Sequence, residues 1–238
     1  MTVSDIDKKT IKCMSTNLPP NIEPTAVKSV VDIVFSGFTA VGTVLVAILA
    51  IWGDRFRSRF APALLTMEIH DADGDLTFLS QPGGNRLPTY FYHLKVKNKR
   101  PWISPKNCRV LLKAMSKRGP DGLFHSIPMS VPLQYVWAPS EITPPVIAIE
   151  HEQILDFGIV TEANRIFVPM LYSQSNNFLG FVRANEAIRY SLQIVSDAFV
   201  SKRYQVFEVA FDGTWSSERL EMKNHLRIRE ITESNAET

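Results

Sequence analysis

The chain is poor in cysteine: 238 residues hold only Cys13 and Cys108, so neither a disulfide framework nor a four-thiolate zinc site is available. Charge of one sign is lacking too. With 26 Lys and Arg against 24 Asp and Glu, the balance is too even for a dedicated nucleic-acid binder. No C-x-x-C pair, G-x-S-x-G elbow, P-loop or G-x-G-x-x-G turn occurs. The five histidines, His70, His93, His125, His151 and His225, never fall at the spacing of metal ligands on a helix. The sequence therefore offers no cofactor, no metal and no catalytic residue by motif. It also lacks an N-x-S/T glycosylation sequon.

What it has is one long apolar run. Between Asp32 and Asp54 there is no charge, and Ile33 to Trp52 reads IVFSGFTAVGTVLVAILAIW. As a helix this run is about 30 Å long, the thickness of a bilayer's hydrocarbon core. Its few polar residues, Ser36, Thr39 and Thr43, can bond back to carbonyls one turn earlier. Trp52 stands where an interfacial aromatic belongs. A cleaved secretory signal would have a basic start, a shorter apolar stretch and an A-x-A-like site, none of which is present. The expectation is a single-pass membrane protein with a transmembrane helix over 28–54, in contact with the lipid bilayer.

Arg55, Arg57 and Arg59 follow the run directly, in a basic juxtamembrane linker over 55–61, whereas only Lys28 lies close on the other side. The positive-inside rule then places the C-terminal part in the cytoplasm. Ser36, Ala40, Thr43, Ala47 and Ala50 recur at 4-3-4-3 spacing on one helix face. Small side chains there let helices approach closely in lipid, for a homo-oligomer or another membrane protein. Residues 1–27, with three prolines, read as a flexible flank, and 232–238 as a disordered polar tail.

From 62 to 231 the period is close to two. Tyr92, Leu94 and Val96 alternate with His93, Lys95 and Lys97; Cys108, Val110, Leu112 and Ala114 share one side; so do Ile188, Tyr190, Leu192 and Ile194. These are half-buried strands. Turns are expected at 71–75 (DADGD, an acidic hairpin rather than a calcium loop), 81–85, 117–122 and 212–214. The phase change in YQVFEVAF reads as a β-bulge, and a helix is expected only around Ser217–Leu226. Seven to nine strands predict a mainly β chain: one N-terminal transmembrane α-helix followed by an antiparallel β-sandwich, immunoglobulin-like in outline. This arrangement resembles small bacterial membrane proteins that carry a compact β domain behind one helix.

Charge is segregated along the strands. Leu76–Pro120 holds ten basic residues and no acidic one, and Asp121–Glu162 six acidic residues and no basic one. Cross-strand pairing would absorb both. Alternatively Lys95, Lys97, Lys99, Arg100, Trp102 and Lys106 form a face for a protein partner, an anionic lipid surface or, less in keeping with the charge balance, nucleic acid. The functional expectation is a non-enzymatic, membrane-tethered interaction or sensor module. A tethered hydrolase would instead need a concave site gathering groups such as Glu150, His151, Asp156 or the other histidines.

Overall fold

A computed structural model describes residues 30–60, 63–80, 84–197 and 199–231, with side chains of the first helix from 34 to 53. The expected flanks 1–27 and 232–238 lie outside the described residues. The chain divides into two units, Met1–Gly53 and Asp54–Thr238.

Helix α1 spans Val30–Phe60, and its part up to Gly53 belongs to the N-terminal unit. Within it Val34–Gly53 is long and apolar enough to cross a membrane. The Thr39 and Thr43 hydroxyls donate to the Phe35 and Thr39 carbonyls at 2.9 Å, which satisfies both donors within the helix. The helix does not stop at 54. Residues 55–60, expected as a linker, are helical, so Arg55, Arg57 and Arg59 occupy its last turns. No Gly or Pro interrupts this stretch and arginine is a good helix former; the next helix-breaking signal is Pro62.

Among the described residues the second unit has eleven strands in two antiparallel sheets. In the first, β1 (Leu65–Ser80) pairs with β2 (Arg86–Asn98), which pairs with β7 (Glu152–Thr161); β6 (Val136–Trp137) and β8 (Phe167–Pro169) flank β7. In the second the order is β11 (Leu226–Ile231), β10 (Gln205–Phe211), β9 (Glu186–Val195), β3 (Arg109–Arg118) and β4 (Phe124–Ile127), with β5 (Leu133–Gln134) also on β3. The short helix α2, Arg219–His225, lies where the sequence placed one.

Alternation puts Tyr92, Leu94 and Val96 of the first sheet, and Ile188, Tyr190, Leu192 and Ile194 of the second, into one core. At its centre is Phe157. Its ring centroid lies 5.6–5.9 Å from those of Tyr135, Phe167, Tyr190 and Phe207, which come from both sheets. Gln205 adds a polar tie between the sheets: its side-chain amide accepts from the Met67 N–H and donates to the Met67 carbonyl, both at 2.8 Å.

Three local expectations are corrected. DADGD is not a hairpin turn; it stays within β1 as a bulge, the register passing from Asp71↔His93 to Asp75↔Phe91. Its carboxylates are taken up by α2, Arg219 contacting Asp71 and Asp75 and Lys223 lying 2.7 Å from Asp73. Ala114 faces outward, because a register shift between Leu112 and Ala114 moves Met115 into the core opposite Tyr190. β10 has no bulge and pairs in continuous register on both sides; Val206 lies on the outward face while Phe207, Val209 and Phe211 face the core.

Gly158 shows how tightly the centre is packed: a Cβ there would sit 2.2 Å from the Phe167 ring. Gly158→Ala is expected to destabilise the fold by about 1–3 kcal/mol through overpacking, and Phe167→Leu in the same chain to recover part of that loss. Chemical denaturation checks both; an unaltered midpoint in the single variant would contradict the packing.

Candidate functional site

The basic segment folds next to carboxylates. Lys95 and Lys97 share the outward face of β2, opposite Leu94 and Val96. Lys95 reaches Glu152 of β7 at 3.4 Å, and Lys97 pairs with Glu68 of β1. The Glu68 hydrogen bond raises the Lys97 pKa against a smaller opposing effect of burial. On β3, Lys117 pairs with Glu186, and Arg118 with Glu208 at 2.9 Å. The outward face of the first sheet is thus a set of cross-strand ion pairs around Lys95 and Lys97.

The loop after β2 holds the remaining candidates. Asn98 is buried, and its amide donates to the carbonyls of Ile103, Ile149 and Glu150 at 2.6, 3.2 and 3.1 Å. Its Oδ1 accepts from the Arg100 N–H at 3.0 Å. This staple turns the loop outward, so that Lys99, Trp102 and Lys106 are exposed and Arg100 half-buried. Trp102 keeps 65% of its surface open. Cys108, which ends the loop, is a core residue; burial pushes its thiol up to about 11.

A second constellation gathers Asp156 with His70 and His93, candidates that the sequence named without placing them together. An open cleft of about 650 Å³ is lined by residues of β1, β2 and β7 and by the segment after β6, among them His70, Asp75, His93, Ser140, Glu141 and Asp156. The β2–β7 register shifts between Tyr92 and His93, which sets His93 opposite Asp156. Its Nδ1 lies 3.0 Å from the buried Asp156 carboxylate but off the line of the ring N–H, so the contact is electrostatic rather than an aligned hydrogen bond. On the other side its Nε2 is 3.7 Å from Asp75. The cleft thus holds an imidazole between two carboxylates.

Glu150 and His151 stay outside this cleft. They precede β7 rather than belonging to it, and the His151 carbonyl accepts from the Asn98 N–H at 2.7 Å. His125 and His225 pair locally with Asp121 and Asp212. Among the described residues no three His, Cys, Asp or Glu side chains are placed to hold a metal ion. The cleft gives no periodic signal because its residues come from positions 70, 75, 93, 140, 141 and 156.

Glu186 is where the ion pairing governs a titration. Burial raises its pKa, but the Lys117 hydrogen bond, the Arg183 N–H and both cations together hold it below its ordinary value of 4.5. A lowered carboxylate stabilises the fold above the unfolded-state pKa, and that contribution is lost as pH falls through the folded value. Glu186→Gln is therefore expected to be less stable than the parent near pH 7, the gap closing as pH falls through and below the ordinary glutamate range. Urea unfolding across this range checks it; a gap independent of pH would refute it. No family model, curated protein or solved structure matches the chain.

Proposed function

We propose that the chain is a single-pass, membrane-anchored β-sandwich module that works by interaction rather than by catalysis. The observation that carries this reading is the uncovered apolar helix. Eleven large hydrophobic side chains between Val34 and Trp52 are exposed. Leaving them in water would cost on the order of 10 kcal/mol or more, which lipid removes. Two antiparallel sheets sharing one core support the sandwich.

Ser36, Ala40, Thr43, Ala47 and Ala50 offer the helix a close-packing face for a second copy or another membrane helix. The arginines at 55, 57 and 59 favour a cytoplasmic β domain. The loop carrying Lys99, Trp102 and Lys106 supplies an exposed tryptophan, a residue type that anchors protein partners, with cations beside it. Full-length protein is expected in the membrane pellet after an alkaline carbonate wash and in the supernatant only with detergent. Recovery in the wash, with the first sixty residues intact, would overturn the anchor.

A tethered hydrolase is the second reading, supported by His93 between Asp156 and Asp75 at the cleft. It predicts ester or amide hydrolysis that His93→Gln lowers by about 10²-fold or more, with folding retained. Turnover equal in parent and variant would remove it.

A further inference from the structure

Among the described residues, the outward face of the second sheet carries more positive charge around Glu208 than that carboxylate accounts for. Glu208 of β10 is flanked directly by Arg229 of β11 and Arg189 of β9. Arg118 reaches it from β3. Oε1 accepts from Arg118 Nη2 at 2.9 Å and from Arg229 Nη2 at 2.7 Å, while Oε2 accepts from Arg189 Nε at 3.0 Å. Because two guanidiniums share one oxygen, they are held side by side.

One guanidinium suffices to neutralise one carboxylate. Here three converge on a group that is only 2% exposed, leaving a local surplus of positive charge. The donors are also in excess, since each guanidinium has about five N–H groups and a carboxylate about four acceptor sites. Phe124 fixes two of the three: the Arg189 guanidinium lies 3.8 Å from its ring centroid and that of Arg118 lies 5.1 Å away. Arg189 is largely covered, whereas Arg118 and Arg229 keep 42% and 61% of their side chains open. All three line one cleft of about 520 Å³ with Phe124. Glu230 also lines it, but on the neighbouring strand position its carboxylate accepts from Gln205 at 3.1 Å, on the opposite face of β11 from Arg229.

We propose that this cleft binds a phosphate group, as free phosphate, a soluble phosphomonoester or a lipid headgroup, with Arg118 and Arg229 as the contacting residues and Glu208 as the group that positions them. A tetrahedral dianion presents several terminal oxygens, which can accept from two guanidinium forks at once and offset the surplus charge. The buried Glu208 aligns the arginines beforehand, so little side-chain entropy remains to be lost on binding. The inference goes beyond the anchored-module reading and does not rest on it.

The test uses the full chain in a neutral detergent, titrated calorimetrically with inorganic phosphate and with glycerol 3-phosphate. Saturable binding is expected in the parent. Arg229→Gln and Arg118→Gln should each weaken it about tenfold with the circular dichroism spectrum unchanged, and Arg229→Lys, which keeps the charge but not the fork, should fall between. No saturable binding at millimolar phosphate, or equal binding in parent and both glutamine variants, would overturn the site. The source is read in lipid nanodiscs. Phosphate affinity that is the same with and without phosphatidic acid in the disc supports a soluble ligand, and affinity lost when phosphatidic acid is present supports a headgroup.

Discussion

The β domain depends on one aromatic contact set. Phe157 sits between the two sheets and touches rings contributed by both, so neither sheet can shift without opening a void at the centre. Its position constrains its neighbours in turn: Gly158 has no room for a side chain because the Phe167 ring fills the space, and Asp156 is thereby carried to the outward face beside His93. Packing at the core and the placement of Asp156 in the cleft are consequences of the same strand.

Much of this was legible in the sequence, and the parts that were not share a cause. Alternation identified the core faces of β2 and β9 residue by residue, since a buried strand face leaves a period of two. It failed at Ala114, and turn-forming composition misled at DADGD; in both places extra residues in one strand reset the phase. A bulge is defined by its partner strand, and the partner is invisible to a local pattern. The helix end failed differently: arginines read as a polar boundary, although they favour the helix that the apolar run begins.

Charge segregation shows the same limit. A run of ten cations looks like a binding face in one dimension. In three dimensions Lys95 and Lys97 meet Glu152 and Glu68 across neighbouring strands, and the chain's near neutrality is realised locally. The imbalance survives where the sequence gives no hint of it, around Glu208. Three arginines separated by up to more than a hundred positions are gathered there by strand order alone. The His93 cleft is assembled in the same manner.

The tie between Gln205 and Met67 joins positions 138 residues apart. Such non-local closure makes a β fold slow to complete. A ribosome delivers Met67 long before Gln205, so β1 waits, with its apolar face uncovered, until nearly the whole domain has been made. Synthesis imposes an interval in which the nascent strand must be shielded from wrong pairing.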